Sequence, residues 1–316
     1  MPLPNSKPGD LFLLFHSLSF DFSAELPLAL GSGVCLEATP QQWLDSAENG
    51  LADYLLPGYS LLGIGINHCC LRCYVQSIPS TNLTSRNSLF LSVIALRLHD
   101  PIGIRIGGQF RLGEEDNRIL DPTLYQLSSI GPINQHSYTP KSLEAVATIA
   151  DRLLNVERQS FTKLQTALIF FGQVTIGMST SFQLCHLGLF AALEALFVPS
   201  GNKALTLSRR VLSFLKDFHF PERMENWIKD EYINGRHKLA HGIHNATLGA
   251  SLDPFRYTAL IRLHEITRLC LLGFLSLEDQ KLKALSSGSG NITQQAIENL
   301  GVAKGQYVEG QKMWLG

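Results

Sequence analysis

The sequence predicts an α+β protein. A mixed α/β or β-rich domain occupies residues 1–135, an all-helical bundle 136–280, and a flexible segment with a short terminal helix 281–316. Three observations predict it. Before residue 135 the apolar runs are short and separated by polar or Gly/Pro turns, as strands are. From Pro140 onward apolar residues recur at helical spacing and no comparable strand signal returns. Charge divides at the same place: residues 1–140 carry 7 Lys and Arg against 12 Asp and Glu, and residues 141–316 carry 19 against 15. A net charge of -1 over 316 residues announces no polyanionic partner, but the positive excess places any such partner on the second half.

The elements follow in order. Residues 11–22 (LFLLFHSLSFDF) end in near alternation and read as one strand entering a sheet. A helix is expected over 39–55, with Thr39 as cap, Pro40 at the first helical position, and Trp43, Leu44, Ala47, Leu51, Tyr54 and Leu55 in a 3.6-residue rhythm. Residues 61–78, 90–98 and 102–111 read as further strands, 114–117 as an acidic loop and 131–140 as a linker. Helices are then expected over about 142–156 (capped by Thr139 or Ser142), 161–177, 182–197, 205–218, 221–244, 254–277 and 292–300.

Several classes are disfavoured. The most apolar window, 164–197, is broken by Gln165, Gln173, His186 and Glu194 among others, so it reads as a buried helix pair rather than a membrane span. The amino terminus has no signal-peptide pattern and six cysteines do not suggest a disulfide scaffold, so a cytoplasmic protein is expected.

The densest chemistry lies in residues 232–244, YINGRHKLAHGIH, which place an arginine, three histidines and a lysine within thirteen residues. Arg236 and His241 are five apart, about 140° around an α-helix, so both can border one groove. They combine a permanent cation with an imidazole that titrates near neutral pH.

The order of three segments resembles the HEPN domains, specifically their ApeA-like branch, over roughly residues 141–280. These are Leu193-Glu194-Ala195-Leu196-Phe197, then Ser208-Arg209-Arg210-Val211-Leu212, then Tyr232 with Arg236-His237-Lys238-Leu239-Ala240-His241-Gly242. The resemblance does not extend to residues 1–135. The resemblance implies an all-helical domain, commonly a homodimer, whose Arg-x4-6-His motif lines a cleft between protomers. It further implies a metal-independent endoribonuclease with no cofactor, a hydrolase-class nuclease acting on single-stranded RNA in toxin-like growth arrest or antiviral defence. Arg236 and His241 are then the catalytic candidates. Glu194 is placed near the arginine, either ordering it or forming an ordinary salt link, and Gly235 with Asn234 stands where a larger residue is usual and is expected to loosen a helical turn.

In that chemistry the 2'-hydroxyl attacks phosphorus, a cation holds the non-bridging oxygens, and an acid protonates the leaving 5'-oxygen. Arg236 suits the phosphate and His241 the proton transfer. His237, Lys238, Arg209, Arg210 and His244 are supporting or RNA-contacting candidates, and the amino-terminal domain is a candidate site for a trigger or inhibitor. Two rival readings stand beside this one: a non-catalytic RNA-binding or regulatory module, and a structural dimerisation protein. No metal ligand set is assigned. Cys70-x-x-Cys73 lacks a second pair, His264-Glu265 lacks the following histidine of a zinc hydrolase, and Gly31-x-Gly33 and Gly63-x-Gly65 lack phosphate-loop spacing.

Overall fold

The structure is a computed structural model. It describes residues 10–16, 20–22, 26–31, 33–39, 66–74, 85–99, 106–112, 119–124, 136–159, 161–177, 182–197, 201–216, 218, 220, 223–237, 240 and 254–286. The chain forms two compact units, Met1–Leu154 and Asn155–Gly316. A strand-rich region is followed by an all-α bundle, as the sequence leads one to expect.

In the first unit six strands make one antiparallel sheet in the order β3-β4-β5-β1-β6-β7. They are β1 (Leu11–His16), β3 (Leu28–Ala29), β4 (Val34–Ala38), β5 (Ile66–Cys73), β6 (Ile106–Leu112) and β7 (Ile119–Leu124). Strand β1 lies between β5 and β6, and Leu11 to Phe15 are all buried. Burial on both faces explains why its sequence is a continuous apolar run rather than an alternation. Strands β3 and β4 are joined by a turn in which Gly31 has φ +85°, and a Cβ there would lie 2.3 Å from Asp151 Oδ1. A larger residue at this position meets both a left-handed backbone and a carboxylate.

Three readings of this half are corrected. Residues 11–22 are two strands, since β2 (Phe20–Phe22) leaves the main sheet and pairs in parallel with β8 (His136–Tyr138). The 131–140 stretch, read as linker, therefore contains a strand. Residues 90–98 are not a strand but part of helix α1 (Ser85–His99), whose residues 91–98 are all buried. A helix buried all round gives an unbroken apolar run that periodicity alone cannot separate from a buried strand. Its length and its leucine-rich, largely unbranched composition are the better guides. The helix expected over 39–55 and the acidic loop 114–117 lie outside the described residues, apart from Thr39.

The helices of the second half lie close to where the sequence predicts them. Helix α2 (Pro140–Gln159) starts after Thr139, whose Oγ1 accepts from the Ser142 amide at 3.2 Å. Then come α3 (Thr162–Gly177), α4 (Phe182–Phe197), α5 (Lys203–Phe214) and α6 (Met224–Glu231). A π-helical segment, Tyr232–His237, continues α6, and α7 (Pro254–Leu275) and α8 (Asp279–Ser286) complete the described bundle. Helix α8 was not expected, and the expected helix over 292–300 lies outside the described residues.

In this second unit α3 and α4 pack as a hairpin with α7 against both. Phe197, Phe214 and Phe274 join α4, α5 and α7, with ring centroids 4.8 to 5.6 Å apart and all three buried. Truncating any one of them removes about 3–5 kcal/mol of packing. Helix α7 also buries an ion pair, Arg268 Nη2 to Glu265 Oε1 at 2.5 Å. Helix α4 is thereby fixed on its core side, and a second stripe of it carries the candidate site.

Candidate functional site

Helix α4 presents His186, Phe190 and Glu194 at intervals of four residues, which places them in one row along the helix. All three meet the chain at 231–236. His186 Nε2 lies 3.1 Å from Glu231 Oε2, and the Phe190 ring meets Tyr232 edge to face at 5.3 Å. Glu194 receives three hydrogen bonds. Arg236 Nε donates to Oε1 at 2.8 Å and Nη2 to Oε2 at 3.1 Å, and the Tyr232 hydroxyl donates to Oε1 at 2.8 Å. The guanidinium also lies over the Tyr232 ring, 5.5 Å from its centroid.

This two-pronged geometry fixes the plane of the guanidinium. Two of its five N–H donors go to Glu194, and the fork geometry of the guanidinium suits a phosphate oxyanion. Arg236 is 26% exposed and Glu194 22%, so the pair is neither sealed nor fully solvated. Burial, and then the hydrogen bond to Glu194, push the Tyr232 phenol up to about 12. The phenol therefore remains a donor throughout the neutral range.

The backbone carrying Arg236 is unusual. Residues 232–237 are π-helical, and the Tyr232 amide is shared between the carbonyls of Ile228 and Lys229 where α6 ends. The α-helical angle of 140° between Arg236 and His241 therefore does not apply to the stretch through His237. Gly235 is buried, and a Cβ on it would stand 2.3 Å from His186 Cε1 and 2.8 Å from Nε2. The glycine expected to loosen a helical turn lies in one widened to a π-helix, and it also makes room for an imidazole.

The remaining candidates fall into distinct settings. His237 is exposed. Arg209 is exposed and pairs with Glu225 at 3.3 Å. Arg210 is buried, and its Nη1 donates to the Phe197 carbonyl at 2.6 Å, closing the end of α4; burial lowers its pKa. Lys238, His241 and His244 lie outside the described residues.

Elsewhere, Cys70 and Cys73 are three apart on β5, so the strand sends them to opposite faces. Burial pushes the Cys70 thiol up to about 12. Among the described residues no group of three or more His, Cys, Asp and Glu could hold a metal ion. His264 stacks on Phe171 at 4.8 Å, while Glu265 holds Arg268. Gly31 and Gly33 serve the β3–β4 turn. Among the described residues no helix is long and apolar enough to cross a membrane.

No family model, curated protein or solved structure matches the chain. Sequence reasoning missed the roles of Tyr232 as donor to Glu194 and of His186 beneath Gly235. The four-residue spacing of 186, 190 and 194 marks them as one row of α4, but not which segment that row meets.

Proposed function

We propose that the chain is a metal-independent endoribonuclease of HEPN type, acting in the cytoplasm on single-stranded RNA. The observation that carries this reading is the Arg236 guanidinium, held in one plane by Glu194 and Tyr232 while still a quarter exposed. Such a fork is ordered in advance for the non-bridging oxygens of a phosphodiester. His241, five residues on, supplies proton transfer; its part rests on the sequence. The 2'-hydroxyl loses its proton as its oxygen bonds to phosphorus, the bond from phosphorus to the 5'-oxygen breaks, and that oxygen takes up a proton. The products carry a 2',3'-cyclic phosphate and a 5'-hydroxyl.

A homodimer brings a second Arg236 and His241 to the same phosphate and divides the acid and base roles. His237, Lys238, Arg209 and His244 are assigned to RNA contact or electrostatic tuning. Arg210, held at the end of α4, acts through the position of that helix. The strand-rich unit is the candidate for trigger recognition, inhibitor binding or substrate selection.

The test is incubation of the purified protein with a mixed RNA pool in EDTA, followed by mapping of fragment ends. Cyclic-phosphate ends that vanish in H241A and R236A proteins of unchanged fold are expected. One observation favours a second reading: Glu194 neutralises Arg236, as suits a non-catalytic RNA-binding module. Tight, salt-sensitive RNA binding with no fragments would establish that reading instead.

A further inference from the structure

We infer that His186 is a positioning residue for Arg236, acting through a steric fit with Gly235 and an ionic or hydrogen-bonded hold on Glu231. The inference rests on the reading above only for its effect on cleavage, because the positioning itself is measured without RNA.

Three contacts from one row of α4 reach one short segment. Glu194 takes the Arg236 side chain, Phe190 takes the Tyr232 ring, and His186 takes the backbone at Gly235 together with Glu231. His186 is 1% exposed, so its ring is a fixed wall rather than a mobile surface group. It also lies edge to face against Phe190 at 5.0 Å, within the same row. The residue it touches, Gly235, immediately precedes Arg236. Any change in the spacing between α4 and residue 235 is transmitted to the next Cα and so to the approach of the guanidinium to Glu194.

The glycine is required by this packing and not by its backbone angles. A methyl group at 235 would stand 2.3 Å from the imidazole, so the buried ring, the backbone at 235 or helix α4 must shift to admit it. The π-helical turn is consistent with this role. One extra residue in the turn lets Glu231 and Tyr232 on one side, and Gly235 and Arg236 on the other, all address α4. His186 therefore sets where Arg236 stands, although it touches no reacting atom.

The experiment compares G235A, H186A and the H186A/G235A double variant with the unmodified full chain. Two readouts are used: the Arg236 Nε–H NMR resonance, assigned by its loss in R236K, and the rate of RNA cleavage. The carboxylate contact at 2.8 Å is expected to slow that proton's exchange with water. G235A is expected to lose the slow exchange and about 100-fold in cleavage, the scale of a displacement near 1 Å. The double variant is expected to regain both in large part, because the new methyl occupies part of the vacated ring space.

A G235A protein with the resonance and rate of the unmodified chain would overturn the inference. So would a folded double variant no better than G235A. Should G235A fail to fold, H186A against the double variant decides: added methyl should improve the resonance, and a further loss would overturn the assignment. If the unmodified chain cuts no RNA but the resonance follows this pattern, the positioning role stands and the nuclease reading falls.

Discussion

Each unit contains an arginine held by a carboxylate and stacked on a tyrosine, and the two clusters differ in depth. In the strand-rich unit Arg72 Nη2 and Nε donate to Asp10 Oδ2 at 2.6 and 3.1 Å and Nη1 to Glu37 Oε2 at 3.3 Å, three donors against the two of Arg236, while Tyr74 donates to Glu37. Its guanidinium lies 4.2 Å from the Tyr74 centroid and 5.5 Å from that of Phe12. Arg72 and Asp10 are 4% and 1% exposed, against 26% and 22% for Arg236 and Glu194. The same three residue types thus make a sealed strut in one unit and a presented cation in the other. Chemistry alone does not distinguish them; depth and the number of committed donors do.

The largest effect that tests this contrast is on stability. Arg72→Ala leaves Asp10 buried without its cation and is expected to cost about 3–5 kcal/mol, read from the denaturant midpoint of the strand-rich unit. Arg236→Ala is expected to cost about 1 kcal/mol or less while reducing RNA cleavage about 100-fold or more. Equal losses of stability in the two variants would break the contrast.

Next in size is an alkaline effect. The Tyr232 phenol has its pKa raised in the folded state, so the stabilisation is complete below pH 10, the ordinary tyrosine value, and is lost as pH rises toward about 12. Tyr232→Phe should therefore show a shallower fall in stability between pH 10 and 12 than the unmodified chain, measured by denaturant unfolding at each pH. An identical slope would mean that the phenol is not held by burial and Glu194. The smallest effect is at Arg209, whose exposed pair with Glu225 is worth about 0.5 kcal/mol. Arg209→Ala should leave the melting curve nearly unchanged and reduce the salt slope of RNA binding by about 1 if the side chain meets a phosphate.

What was legible in the sequence follows the same division. Helices α3 and α4 could be read nearly to the residue because polar breaks bound their apolar runs, as at Ser179-Thr180-Ser181 and Pro199-Ser200-Gly201. Helix α1 could not, since burial on every side erases the period that separates helix from strand. Strand β7 was hidden by Pro122, which a strand tolerates here because β7 forms the edge of the sheet and its pairing with β6 is irregular. At the candidate site Arg236 and Glu194 were legible as a pair through a resemblance. The buried setting of Arg210, the π-helical turn and the fit of Gly235 over His186 depend on contacts between distant segments, which no local pattern encodes.

The central claim is that Arg236 and His241 serve attack by a 2'-hydroxyl. Its most direct measurement uses one RNA oligonucleotide with a mapped cleavage position and a copy bearing a single 2'-deoxy substitution at the attacking nucleotide. The unmodified chain should cut the first in EDTA, leave the second intact at that position, and lose activity in R236A and H241A. Undiminished cleavage of the deoxy copy, or of the first oligonucleotide by folded R236A, would contradict the account.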